Sequence, residues 1–365
     1  MNPAAVDVLV VGCGPAGASA AAAAASRGLS VLIVERRRQV GQPVQCAEFV
    51  PLPLAGLAQS TQAVRQPIRG MNTCLPSGSW VYADLPGLMI DRAVFDQALA
   101  ARAVAAGAQL STGTVLAALD AASHGAIVED GGGARTIVYR LLIAADGPHS
   151  AVARLLGLPP LASLLTRQYT VPLSASWPDT DVWLSDAYPG GYAWLFPRGR
   201  RAHVGVGLTG SARQMKGVLD ALHDSLVKAG RVASTVLRRT GGAIPVAGLR
   251  PRLAVGRVLF AGDAAGLTHP VTGAGIAAAV ASGEYAGQAA AAWLAGRSRA
   301  LEAYEAELRD VFGASLARAV ARRQALWQAT RRTDAEFRRA WAAFPEYFQA
   351  PWASHAAPQG VAFAS

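Results

Sequence analysis

The sequence predicts an α/β protein: a parallel sheet with helices, a second antiparallel β-sheet, and a helical carboxy-terminal region. Three observations carry this. Residues 6–11 are apolar but for Asp7, the pattern of a strand buried on both faces, and lead directly into a glycine-rich turn and an alanine-rich helix. Residues 168–209 are rich in β-branched and aromatic side chains, punctuated by Pro, Gly and Asp turn signals. Residues 299–344 interleave charge with apolar positions and read as mostly helical, with tryptophans at 327 and 341.

The turn after the first strand is Gly12-Cys13-Gly14-Pro15-Ala16-Gly17, matching G-x-G-x-x-G between a strand and a helix. Gly12 permits the tight turn, Gly14 lets a pyrophosphate approach the backbone, and Gly17 allows close packing of helix on strand. Pro15 and Ala16 lie in the turn ahead of the helix expected at 18–26, whose free N–H groups and dipole favour phosphate. A second strand over residues 29–34 ends at Glu35, suitably spaced to accept hydrogen bonds from a ribose diol. These residues define a Rossmann-like dinucleotide-binding unit, with Arg36 and its two arginine neighbours expected at the adenosine end.

Residues 39–55 lack a helical period, carry three prolines and are expected as a loop containing Cys46, Ala47 and Glu48. Residues 71–88 suggest a hairpin turning at Pro76-Ser77-Gly78, and Arg92 lies at the start of a helix running to residue 106. Short strands are expected at 109–116, 125–129 and 136–145, the last running into Asp146-Gly147 and a further helix. Residues 211–229 read as an amphipathic helix. The buried-strand pattern returns at 258–261, followed by Gly262-Asp263, then Pro270, Gly273-Ala274-Gly275 and a long small-residue helix from Ile276. The expected organisation is a discontinuous nucleotide-binding domain (1–70, 91–165, 241–295), a substrate domain (71–90, 166–240), a helical region (296–350) and a flexible tail (351–365).

The formal charge of +10 is carried almost wholly by arginine, since Lys216 and Lys228 are the only lysines. No nucleic-acid motif accompanies it, so no nucleic-acid partner is expected and an ordinary basic surface accounts for the charge. The three cysteines, Cys13, Cys46 and Cys74, have no C-x-x-C spacing, which argues against a disulfide framework or a metal site. No membrane span or signal peptide is expected, and the chain reads as cytoplasmic, a monomer or homodimer.

Three pieces in this order, GCGPAG with Glu35, DGPHSAVAR and GDAAG, resemble the FAD-binding fold of the glutathione-reductase type used by para-hydroxybenzoate hydroxylase-like flavoproteins. The resemblance implies that Asp263 holds the ribityl chain of FAD, that Asp146-Gly147 lies near the pyrophosphate, and that Arg92 contacts the cofactor. GGYAWLFPRG and GDAAGLTHPVTGAGIAAAVASGEYAG look like segments of the geranylgeranyl reductase family, and the cysteine of PVQCAE resembles one that lies over the flavin in archaeal members. Arg198 departs from the lysine this family favours after Phe-Pro. Flavin-dependent halogenases share features, but their catalytic lysine falls in a first portion that here contains none.

On this resemblance, backbone N–H groups of residues 270–275 and the helix N-terminus stabilise negative charge on reduced flavin. His269 either hydrogen-bonds the ring or substrate, or is a turn residue. Cys46 is either the proton donor to a carbanionic carbon or a small loop filler. Glu48 is its proton reservoir or, the reading favoured here, a solvated loop acid. Tyr192, Trp194 and Phe196 recur at period two on one strand face, lining an apolar substrate tunnel or plugging a core. Two activities follow: reduction of carbon–carbon double bonds of an isoprenoid-like substrate by hydride from flavin N5, or monooxygenation of an aromatic substrate, small molecule or protein residue, through a C4a-hydroperoxide. No dedicated nicotinamide-binding domain is expected, so NAD(P)H acting transiently or a reduced partner protein is expected to supply electrons. An apolar substrate suggests peripheral contact with an anionic membrane surface.

Overall fold

The computed structural model describes residues 4–120 and 123–349; the tail expected at 351–365 lies outside them. The strand Ala4–Val11 forms the middle of the main sheet. It pairs in parallel with Val31–Glu35 on one side and Gly133–Ala144 on the other, while Gln109–Thr112 and Val258–Phe260 extend the sheet outward. These central strands are buried on both faces, Leu9, Ile33, Leu141 and Ile143 being fully enclosed, which is why they read as apolar runs.

The helix Pro15–Ala25 follows the first strand, and Ile276–Leu294 packs directly against it. The contact is backbone to backbone. A Cβ added at Gly283 would meet the Ala16 carbonyl, and one at Gly287 the Ala20 carbonyl, so only glycine permits this approach. Two segments some 260 residues apart in sequence are thereby joined in one layer. Asp91 caps the helix Arg92–Ala105 by accepting from Ala93 N and Val94 N.

The second sheet has seven strands and lies across Ser163–Pro172, Thr180–Trp183, Tyr192–Arg198, Arg201–Leu208 and Arg238–Pro245, with the hairpin Met71–Cys74 and Trp80–Ala83 at one edge. It is antiparallel except where Met71–Cys74 joins Thr180–Trp183. The amphipathic helix Ala212–Lys228 covers it with Met215, Leu219, Leu222 and Leu226. Helices Ala300–Leu308, Ala314–Gln328 and Asp334–Ala340 complete the carboxy-terminal region, with a π-helical turn at Arg309–Gly313 between the first two.

Two local expectations are corrected. The strand expected at 109–116 is two strands, because Gly113 at φ 65° turns the chain out of the parallel sheet into Val115–Asp120. The stretch 39–55 is not all loop. Phe49–Pro51 pairs with Gly87–Ile90 in a three-stranded sheet that also includes Val64–Ile68, and Leu52–Leu54 is a 3-10 turn. A short strand whose partner lies about 38 residues away carries no local signal. Among the described residues no helix is long and apolar enough to cross a membrane.

Candidate active site

A cavity of about 910 Å³ opens between the two sheets. Its lining draws on the glycine-rich turn (Gly14, Pro15, Ala16), the 41–49 segment, the second sheet and the start of the helix at Ile276. Both helices that begin here lack a side-chain cap: the N-cap residues are Gly14 and Gly275. Their first-turn N–H groups are therefore left for a ligand, and the two positive dipole ends converge on one space.

The turn has the geometry that a dinucleotide requires. Gly12 has φ 94°, and a Cβ there or at Gly17 would strike backbone oxygen, of Ala145 and Gly12 respectively. A Cβ on Gly14 meets nothing within 4 Å, because Gly14 borders the cavity itself. Glu35 is buried at the end of its strand. Its Oε2 accepts from Cys13 N at 2.8 Å and its Oε1 from Arg37 N at 2.9 Å, so the carboxylate shapes the turn from within. Burial pushes the Cys13 thiol up to about 12, leaving it an inert filler. Arg36 is exposed and away from the cavity, whereas Arg37 lines it, held by Pro43 O and Gln45 Oε1.

At the middle strand end, Gly147 lines the cavity and Asp146 lies just behind it, its Oδ2 accepting from Val152 N while Oδ1 is buried with no hydrogen-bond partner among the described residues. Burial pushes the Asp146 carboxyl up. Gly262 and Asp263 both line the cavity; Asp263 Oδ1 accepts from Thr268 Oγ1 at 2.5 Å. Gly273, Ala274, Gly275 and Ile276 line it too, whereas Pro270 does not. The two uncapped helices and the open face of Gly14 fit an FAD molecule.

Cys46 lies in this cavity. Its sulfur accepts from Glu48 N at 3.2 Å and faces the Arg92 guanidinium, which is itself held in a two-pronged pair by Asp96 at 3.1 and 3.0 Å. Burial pushes the thiol up against the pull of Arg92 and the Glu48 N–H, so the group is protonated at neutral pH. Ala47 also lines the cavity.

Glu48 is no solvated loop acid: it is 3% exposed. Oε1 accepts from Arg92 N at 2.8 Å, Oε2 is 2.5 Å from His203 Nε2, and Arg198 Nε lies at 3.5 Å. Burial works against ionisation, but the His203 hydrogen bond, with His203 and Arg198 charge, outweighs it and holds the carboxyl below its usual range. Arg198 also reaches Asp91 at 2.5 Å, so its planar fork spans two carboxylates.

Tyr192, Trp194 and Phe196 all line the cavity and also pack into the cluster of Ile68, Met89, Phe337 and Trp341. Trp194 Nε1 donates to Gln168 Oε1, and Gln168 Nε2 donates to the Cys46 carbonyl. Tyr192 Oη donates to the Thr272 carbonyl at 2.6 Å. His269 lines the cavity, with Thr272 on Nδ1 and Tyr347 Oη on Nε2; burial pushes it down to about 4, so it is neutral at physiological pH. His203 is a polar residue inside the otherwise apolar run 202–208, and Gln168 neighbours Thr166, Arg167 and Thr170 in a mixed strand. That pattern is a signal that could have marked His203, while Gln168 carries none.

The fold and site thus define an FAD-binding oxidoreductase. A model described as "FAD binding domain" matches residues 5–204, one described as "Geranylgeranyl reductase catalytic domain" residues 168–244, and one described as "Lycopene cyclase protein" residues 211–344. Digeranylgeranylglycerophospholipid reductase of Methanocella arvoryzae is 33% identical, covering 85% of this chain and 84% of its own. Digeranylgeranylglycerophospholipid reductase 1 of Methanopyrus kandleri is 36% identical over 78% of this chain and 80% of its own. The crystal structure of a geranylgeranyl bacteriochlorophyll reductase-like protein from Thermoplasma acidophilum superposes with a TM-score of 0.81 at 27% identity, covering 91% and 89% of the two chains. The chain belongs to the geranylgeranyl reductase family of FAD-dependent oxidoreductases.

Proposed function

We propose that this chain reduces carbon–carbon double bonds of an isoprenoid lipid, of the class named for its relatives. One observation carries the reading: a protonated thiol, Cys46, shares a single apolar cavity with the aromatic stripe Tyr192, Trp194 and Phe196 and with two uncapped helix N-termini.

In this reading FAD is held by Gly12, Gly14 and Gly17 with Pro15 and Ala16, by Glu35 through the turn it shapes, by Gly147 with Asp146 behind it, and by Gly262 and Asp263. Arg37 serves at the adenosine end in place of Arg36. Bound FAD supplies the hydride. Cys46 Sγ gives its proton to the neighbouring carbon, so that one hydride and one proton add across the double bond. The thiolate left behind is stabilised by the Glu48 N–H and the Arg92 guanidinium, and regains a proton before the next cycle. Neutral His269 fixes the 269–275 turn and does not donate as an imidazolium. The aromatic stripe excludes water from the reacting carbons. The second sheet supplies the substrate wall, as the division into nucleotide, substrate and helical parts implies.

NAD(P)H acting transiently or a reduced partner protein supplies electrons. Leu52 and Leu85, exposed yet lining the cavity, are suited to a lipid surface presenting the substrate. Flotation with anionic and neutral vesicles checks this, equal recovery with both removing the charge component. The decisive experiment is anaerobic photoreduction followed by a polyprenyl glycerolipid. Reoxidation of the flavin with a product gain of two hydrogens per reduced bond is expected. An unchanged lipid, with hydroxylation of an aromatic substrate on admitting air, would replace this reading with monooxygenation.

A further inference from the structure

The Cys46 segment is tied to the second sheet at two points. One is the Cys46 carbonyl, held by Gln168. The other is Glu48, whose backbone has φ 68°, an unfavourable region for a residue with a Cβ. The side chain that holds this turn in place ends on His203, which is 4% exposed, lies opposite Phe196 and Thr170 in register, and is 3.2 Å from Thr170 Oγ1 through Nδ1. An ionised carboxylate can only accept, so His203 Nε2 carries hydrogen and donates to Glu48 Oε2, while Nδ1 is hydrogen-bonded to the Thr170 hydroxyl. The relay Thr170–His203–Glu48 thus ends at a backbone N–H aimed at the Cys46 sulfur, 3.2 Å away.

Resting on the reductase reading above, we propose that His203 is a positioning residue of the reaction, holding the Glu48 carboxylate so that the Glu48 N–H donates to Cys46 Sγ as the proton leaves. The imidazole touches neither substrate nor cofactor. It acts through the turn, which in its absence relaxes toward a less strained φ and withdraws the N–H from the sulfur. Arg198 does not replace it, because its shorter contact is to Asp91 rather than Glu48.

The test is a double-mutant cycle with a substrate-free readout alongside it, both on FAD-loaded protein. His203→Ala is expected to slow the lipid-dependent reoxidation of reduced enzyme by roughly tenfold to a hundredfold, the worth of a hydrogen bond to a charged group, with KM little changed. In a Cys46→Ser background the same substitution should have almost no further effect. His203→Gln, whose amide can donate to Glu48, should recover most of the loss. Hydrogen exchange at the Glu48 amide, measured without substrate, should accelerate at least tenfold in His203→Ala and return toward wild type in His203→Gln. Thr170→Val, nearly isosteric, should move both readouts the same way by several-fold, which keeps the test decisive if His203→Ala loses FAD. Exchange at Glu48 that both variants leave unchanged overturns the proposal, as do kinetic effects that multiply with Cys46→Ser. Absence of lipid-dependent reoxidation in the wild type would instead strike the reductase reading, and the exchange data would still report whether His203 holds the turn.

Discussion

Replacing Glu35 with alanine is expected to weaken the apoprotein as well as its grip on FAD. The carboxylate accepts two backbone N–H groups, Cys13 at 2.8 Å and Arg37 at 2.9 Å, and the first is deep in the core. Each bond from an N–H to a charged acceptor contributes about 1.5–3 kcal/mol, and a buried N–H left without a partner costs about 1–3 kcal/mol. Partial hydration of the Arg37 N–H reduces the sum, so a loss of about 3 kcal/mol in unfolding free energy is expected for Glu35→Ala before any cofactor is added. Glu35→Gln keeps one acceptor but turns an NH₂ toward an N–H donor, so about half of that loss should remain. FAD affinity should fall by a further tenfold or more, read by flavin fluorescence titration. The check is urea unfolding of the apoprotein at constant slope. An apoprotein midpoint unmoved by Glu35→Ala would refute the turn-shaping role and leave the residue as a ribose ligand alone.

Three further outcomes are expected. Cys46→Ser should keep wild-type FAD content and fast flavin reduction but slow the lipid-dependent half-reaction by about 10²–10⁴, the range of general-acid catalysis, in stopped-flow traces. Gly14→Val should yield folded, colourless protein, since its side chain projects into open cavity and not into the fold; retained yellow colour would count against the pyrophosphate position. His269 is held near 4 when folded against 6.5 when free, so the unfolded chain takes up the proton first. Its contribution is therefore present above pH 6.5 and lost as pH falls toward 4, by up to about 3 kcal/mol, and His269→Gln should flatten apoprotein stability over that window.

The nucleotide half of this molecule was legible because its signals are local. Strand, glycine turn, helix and acid follow one another within residues 6–35, and the helix Ile276–Leu294 begins where its glycine pair ends. The aromatic stripe was legible for the same reason, its period fixing a shared face. What escaped depends on distant pairing. Phe49–Pro51 becomes a strand only against Gly87–Ile90, and Glu48 changes from a solvated acid to a buried one only because strand Arg201–Leu208 brings His203 to it across 155 residues. Arg36 and Arg37 are equivalent in sequence. The direction of the chain after Glu35 decides which one faces the cavity.

The glycine contacts between helices Pro15–Ala25 and Ile276–Leu294 carry a kinetic consequence. Two helices in backbone contact cannot be prised apart without exposing a large buried alanine surface, so that wall of the cavity behaves as a fixed anvil. Exchange of a bound dinucleotide is then expected to proceed by motion of another part of the lining, the segment of Arg37, Gln45 and Cys46, which is braced internally by Arg37 and tied to the second sheet through Gln168. The rate at which cofactor is lost on dilution becomes a gauge of that segment alone, and loosening it should shorten residence time while leaving the main sheet and its helices undisturbed.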